Sequence, residues 1–223
     1  MPSYAQVVGA INRICDPTDL ALTAAGGLPG ELCQNWRAKT VGTFDCEFGY
    51  SCMGYEIAGA WGQKMANPDR DVIAMVGDGS YLMMNSDIYS TVLTGHKLIV
   101  VVMDNGGFAV INRLQNAKGS KSFNNLIADS KIERLVGVDF AQHAASMGAH
   151  AETVHSIGDL EQAFVRAKKA DRTAVIVIKV QSHQWTPGDA WWEVGVPEVS
   201  TRKEVRAARA DFEKGKAKQR IGV

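Results

Sequence analysis

The sequence carries no surplus of charge: 24 Lys and Arg offset 24 Asp and Glu over 223 residues. A neutral chain lacks the electrostatic footprint of a nucleic-acid binder or of a protein held at an acidic membrane. No apolar run approaches the length of a membrane span, and the first residues (MPSYAQVV) show no basic stretch leading into a hydrophobic one. Neither a spanning helix nor a secretory leader is expected. Cysteine is sparse: Cys15, Cys33, Cys46 and Cys52, with no CxxC pair. This pattern argues against a zinc site and reads as reduced thiols of a cytoplasmic protein. His150 and His155 are spaced like a ligand pair, but no Cys pair accompanies them. Internal repeats and low-complexity tracts are also absent. What is present is an apolar fraction of 46%, ample for one α/β domain or a domain with an extension.

The informative stretch runs from Gly77 to Phe108. Val72–Val76 (VIAMV) and Leu98–Met103 (LIVVVM) are short, continuous apolar runs, the pattern of parallel strands covered on both faces. The first ends at Gly77-Asp78-Gly79-Ser80 and the second at Asp104-Asn105-Gly106-Gly107. Between them, N-cap candidates at Asn85, Ser86 and Asp87, apolar residues at Met84, Ile88 and Val92, and Gly95 predict a helix. A right-handed crossover places both glycine corners at the carboxyl edge of the sheet, where open α/β sheets bind ligands. Asp78 and Asn105 then supply hard oxygen donors suited to Mg²⁺ or Ca²⁺. Gly79 and Ser80 offer backbone N–H groups to a phosphate. Either corner alone reads as a plain turn; two at consecutive strand ends read as a candidate metal–diphosphate site.

The rest of the chain alternates in the same way. A helix is expected over 4–15, a strand over Leu20–Ala25, the glycine loop Gly26-Gly27-Leu28-Pro29-Gly30, and a short helix over Glu31–Arg37. Thr40–Phe44 is a strand candidate, and a helix is expected from Tyr55 to Met65. Residues 108–117 read as helical and 118–130 (KGSKSFNNLIADS) as a mobile, solvated loop containing Asn124 and Asn125. A helix at Phe140–Met147, a strand at His150–Val154, a helix marked by Ile157, Leu160, Phe164 and Ala167, and a strand at Ala174–Val180 follow. This gives a parallel α/β sheet with helices on both faces. Of the histidines, only His183, just past the last strand, is placed to meet a substrate. The boundaries are 1–183 for the α/β domain and 184–223 for an extension. The extension carries Trp185, Trp191 and Trp192, the run Val194–Val199, and a helix over 202–218. Residues 201–220 hold eight Lys or Arg against three Asp or Glu.

The spacing of the two corners resembles the cofactor motif of thiamine-diphosphate-dependent enzymes: GDG, 24 residues (80–103), then Asp104-Asn105 where the family usually has a pair of Asn. By that resemblance the fold is the family's pyrophosphate domain. The metal, Mg²⁺, is held by Asp78, Asn105 and the Gly107 carbonyl. Thiamine diphosphate meets Gly26, Gly27, Gly79, Ser80 and Phe108. The Ser51 carbonyl accepts from its amino group, and the Met53 side chain props its bent shape. As a lone methionine, Met53 equally fits ordinary core packing. Asp104 departs from the family pattern at a position that does not ligate the metal.

The GGLPGEL loop, the DNGGFAVINRLQ run and the WTPG and WWEVGVPEVS segments further resemble the branch of the family that opens a cyclic 1,2-diketone by hydrolytic carbon–carbon cleavage in inositol catabolism. The resemblance implies a small-molecule diketone substrate and a homo-oligomer. It also implies an activating Glu on a pyrimidine-binding domain in a missing segment or another chain, a role for which Glu47 and Glu56 are not placed. Two alternatives stand beside it: the small subunit of a split 2-oxoacid decarboxylase or acetolactate-synthase-like enzyme, and a non-catalytic cofactor-binding module.

Overall fold

The structure is a computed structural model and describes residues 1–188 and 196–220. The first half runs α1 (Tyr4–Ile14), β1 (Leu20–Thr23), α2 (Leu28–Asn35), β2 (Phe44–Cys46), α3 (Tyr55–Ala66), β3 (Val72–Gly77), α4 (Asp78–Met83) and α5 (Asp87–Thr94). Then come β4 (Ile99–Asp104), α6 (Ala109–Ala117), a 3₁₀ turn at Ile127–Asp129, α7 (Phe140–Ser146), β5 (His150–Val154), α8 (Ile157–Lys169), β6 (Ala174–Lys179) and α9 (Lys203–Lys216). The Trp191–Trp192 pair and residues 194–195 lie outside the described residues.

Among the described residues six strands form one parallel sheet, in the order β2-β1-β3-β4-β6-β5. Alternate side chains feed two cores. Ile73, Met75, Ile99, Val101, Ile176 and Ile178 pack against α1, α2 and α8 through Val7, Ile11, Leu32 and Phe164. On the other face, Val72, Ala74, Val76, Val100, Val102 and Val177 pack against α3, α4, α5 and α7 through Ile57, Tyr81, Ile88 and Phe140. Each large side chain so buried contributes roughly 1.5–3 kcal/mol. Burial on both faces explains why the central strands have no polar alternation. Short local signals set the helix ends. Ser3 and Gln6 form a reciprocal capping box at α1, and Gly95 (φ 71°) ends α5.

The strand order positions the site. β2 pairs on one side of β1 and β3 on the other, so α2 and α3 leave on opposite faces and a crevice opens between the carboxyl ends of β1 and β3. The amino end is closed by charge. The Lys168 ammonium lies 2.7 Å from Asp16, 2.5 Å from Asp19 and 3.3 Å from Asp71, and Lys97 lies 3.0 Å from Asp71.

Several boundaries differ from expectation. A helix begins directly at Asp78, so the expected turn-then-helix is two helices, α4 and α5, broken at Met84. An aspartate in the first turn suits the helix's positive end. α2 starts at Leu28, three residues early, because Pro29 is tolerated in a first turn. β2 is displaced from Thr40–Phe44 to Phe44–Cys46. The 118–130 segment is anchored, as described below. In the extension, α9 docks on its own chain. Val205 and Phe212 are buried, the Gly119 backbone lies against Glu204, and Lys118, Arg209 and Lys216 cluster over the Phe212 ring. No helix among the described residues is long and apolar enough to cross a membrane.

Candidate functional site

Four connections converge at the carboxyl edge of the sheet. The first joins β3 to α4. Asp78 is buried, and its carboxylate reaches across to the second connection, between β4 and α6. There the Gly107 N–H donates to Asp78 Oδ2 at 2.8 Å and the Asn105 N–H to Oδ1 at 3.4 Å. Burial pushes the Asp78 carboxyl up to about 6, the neighbouring Asp104 adds to the rise, and the two N–H donors oppose it. Asp104 itself accepts the Gly106 N–H at 3.0 Å, which shapes the turn.

The Asn105 carboxamide sits between this carboxylate and Tyr4 of α1. Its Oδ1 is buried without a partner. That oxygen is available to a ligand. Burial first, and the Asp78 charge second, push the Tyr4 hydroxyl above its usual range. Among the described residues no group of three His, Cys, Asp or Glu is placed to hold a metal ion. A cation at this corner must draw on one carboxylate, a carboxamide and backbone oxygens, a donor set that fits a hard ion completed by phosphate and water.

The expected loose loop at 118–130 is fastened to this corner. Phe108 N–H donates to the Asn125 carbonyl at 2.7 Å, Ile127 N–H donates to the Gly106 carbonyl at 2.9 Å, and Gly107 bridges to Leu126. Asn125, expected in solvent, anchors the turn through its backbone. Gly107 (φ 142°) is required here, since a Cβ would lie 2.5 Å from the Asn125 carbonyl oxygen.

The third connection follows β1. Gly26 (φ 80°) and Gly27 lead into α2, and Trp185 closes over Gly27 so tightly that a Cβ there would fall 2.1 Å from the indole. Trp185 stacks on Tyr4 with ring centroids 5.0 Å apart, and the Arg113 guanidinium lies 5.2 Å from its centroid. Thr186 fixes this segment by donating its N–H and hydroxyl to the buried Glu31 carboxylate at 2.8 and 2.7 Å.

The fourth connection, 47–54, follows β2. Glu47 accepts the N–H groups of Tyr50 and Cys52 at 2.9 and 2.7 Å, holding Ser51 in the left-handed region (φ 52°). A non-glycine residue there is unusual and marks a held conformation. Met53 and Phe108 meet over Gly79, where a Cβ would lie 3.5 Å from the Met53 methyl and 2.7 Å from the Phe108 ring.

The structure thus brings Asp78, Asn105 and Gly107 into one hydrogen-bonded corner and Met53, Gly79 and Phe108 into one contact. Ser80 and Glu56 are both buried beside this group. His183 is exposed beyond β6. Sequence reasoning missed Tyr4, Trp185 as a cover for Gly27, and Glu56 as a link between loops. The one available signal for Glu56 was a lone charge on the buried face of an apolar helix start. A separate cavity of about 310 Å³, beside His150, Glu152, Arg166 and Lys169, lies at the β5 edge, and its Arg166 and Glu152 pair with each other.

The chain is 40% identical over 209 residues to 3D-(3,5/4)-trihydroxycyclohexane-1,2-dione hydrolase of Geobacillus thermodenitrificans, covering 91% of this chain and 33% of that protein. It is 41% identical to the protein of the same name from Bacillus cereus, covering 91% of this chain and 32% of that one. The chain spans about a third of the length of these curated relatives. Among solved structures, thiamine diphosphate-dependent 4-hydroxybenzoylformate decarboxylase of Rhodococcus jostii superposes with a TM-score of 0.71 at 18% identity, over 80% of this chain and 32% of that one. Benzoylformate decarboxylase of Polynucleobacter necessarius gives 0.70 at 19%, over 82% and 34%. At that identity the likeness shows the fold alone. Residues 24–178 match the family described as thiamine pyrophosphate enzyme, C-terminal TPP binding domain, and the chain belongs to that family.

Proposed function

We propose that this chain is the diphosphate- and metal-binding part of a cytoplasmic thiamine-diphosphate-dependent hydrolase that opens trihydroxycyclohexane-1,2-dione in inositol catabolism. The corner formed by Asp78, Asn105 and Gly107, with the buried and unpartnered Asn105 Oδ1, carries the proposal. Asp78, Asn105 and the Gly107 carbonyl would hold Mg²⁺, and Gly26, Gly27, Gly79 and Ser80 would receive the diphosphate. When bound, thiamine diphosphate supplies a carbon nucleophile and an electron sink for cleavage beside a carbonyl. This chain's share is orientation. The Ser51 carbonyl would accept from the aminopyrimidine, while Met53 and Phe108 form an apolar wall that keeps water from one side of the ring junction. The choice of substrate is supported by the 40–41% identity to the trihydroxycyclohexanedione hydrolases.

The remaining machinery is assigned to other parts of the assembly. Exposed Phe48, Tyr50, Leu82, Met83 and Phe108 rim the site, which supports a covering domain. We assign that role to a pyrimidine-binding domain, carrying the activating acid and contributed within a homodimer. Calorimetric titration of thiamine diphosphate with Mg²⁺ into this chain, alongside Asp78→Ala, tests the site. Binding by the wild type that the variant loses is the expected result. Binding that survives in Asp78→Ala, or no binding even with the pyrimidine-binding domain of a relative added, would overturn the proposal. Product analysis with the cyclic diketone and with 2-oxoacids, on the reconstituted assembly, decides the substrate class.

A further inference from the structure

Glu56 lies in the first turn of α3 and has no solvent exposure. Its Oε1 accepts the Ala25 N–H at 3.1 Å and its Oε2 the Gly54 N–H at 2.8 Å. The two donors belong to two different connections. Ala25 precedes Gly26 and Gly27, and Gly54 follows Ser51 and Met53. Burial pushes the Glu56 carboxyl above its usual range, and among the described residues the hydrogen-bond donors that oppose this are backbone N–H groups. A buried carboxylate balanced only by dipoles costs stability, so its presence calls for a compensating role.

The backbone supplies the reason. Gly26 and Gly54 both sit at positive φ (80° and 96°), so these connections have no Cβ to restrict them where they approach the site. A carboxylate accepts donors along fixed directions in its own plane, and two N–H groups bound to its two oxygens are thereby fixed relative to each other.

We propose that Glu56 is a positioning residue that locks the β1–α2 connection and the 51–54 loop into the single arrangement that receives the cofactor. This rests on the assignment of the site to thiamine diphosphate. Glu56 touches no cofactor atom in this role; it acts through Ala25 and Gly54.

The test is Glu56→Gln in this chain. The amide has the same shape but one acceptor oxygen, so either Ala25 or Gly54 loses its acceptor and faces an N–H. Amide hydrogen exchange, measured without ligand, should accelerate tenfold or more within residues 24–27 and 50–54. Amides of β3 and β4 should keep wild-type protection. Titration of thiamine diphosphate with Mg²⁺ should then show an affinity lower by tenfold or more. Unchanged exchange in both segments overturns the proposal, as does loosened exchange with wild-type affinity. Protection lost equally across β3 and β4 also overturns it, because Glu56 would then serve the fold as a whole. Failure of the wild type to bind thiamine diphosphate would instead fault the site assignment, and the exchange pattern would still decide whether Glu56 couples the connections.

Discussion

Asp78→Asn should stabilise the metal-free chain at alkaline pH while abolishing Mg²⁺-dependent cofactor binding. The folded-state value of about 6 lies above the ordinary 3.8, so the buried acid favours folding in its protonated form. That contribution is complete below pH 3.8 and is lost as the pH rises through 6. Two units correspond to roughly 3 kcal/mol held against the fold at pH 8. Asparagine removes that cost and keeps the shape. It retains an oxygen for the 2.8 Å bond from Gly107 and gives up the weaker 3.4 Å bond from Asn105, a loss of about 1 kcal/mol. The net gain of about 2 kcal/mol raises the melting temperature by about 4–8 °C in a chain of this size. Near pH 4.5, where Asp78 is already protonated in the folded chain, the gain should shrink to about zero. Scanning calorimetry of both proteins in EDTA at pH 8 and pH 4.5 measures this, and subtraction cancels the titrating groups that do not interact with Asp78. Equal melting temperatures at pH 8, or a gain of the same size at pH 4.5, would refute the reasoning.

Tyr4→Phe keeps the stack on Trp185 but removes the hydroxyl beside the Asn105 carboxamide. Mg²⁺ affinity in the presence of thiamine diphosphate should fall severalfold, read by titration. Gly107→Ala places a Cβ against the Asn125 carbonyl in a conformation that disfavours side chains. It should cost more than about 2 kcal/mol and expose 118–124 to limited proteolysis. Lys168→Met leaves the Asp19 carboxylate buried without its ammonium. A loss of about 3 kcal/mol is expected in urea denaturation, with the cofactor site unaffected.

Legibility in the sequence follows how local each cause is. β3, β4 and β6 lie within a residue of their expected bounds because continuous burial writes an unbroken apolar run. The candidate metal corner was legible for a related reason: two glycine turns at consecutive strand ends fix their own separation. α4 was missed because six residues, DGSYLM, are too few to show a helical period. β2 is a three-residue, half-exposed edge strand whose place is set by pairing with β1, a contact between residues far apart in sequence. The 118–130 segment has the composition of a loop and is held by backbone bonds at Asn125 and Ile127 that leave no mark on side-chain chemistry. Glu56 illustrates the same limit at the site. Its identity was plain, but its partners come from two connections that only the folded chain brings together.

The charge knot around Lys168 closes the end of the sheet opposite the cofactor corner, separated from it by the length of a six-residue strand, about 20 Å. At that separation two perturbations that share no partners add rather than interact. The protein therefore has two independently adjustable ends. Substitutions among Asp16, Asp19, Asp71, Lys97 and Lys168 can raise or lower the melting point without retuning ligand affinity, and destabilising changes at the carboxyl corner can be offset from the far end. A double-mutant cycle between Lys168→Met and Asp78→Asn should accordingly close to within about 0.5 kcal/mol.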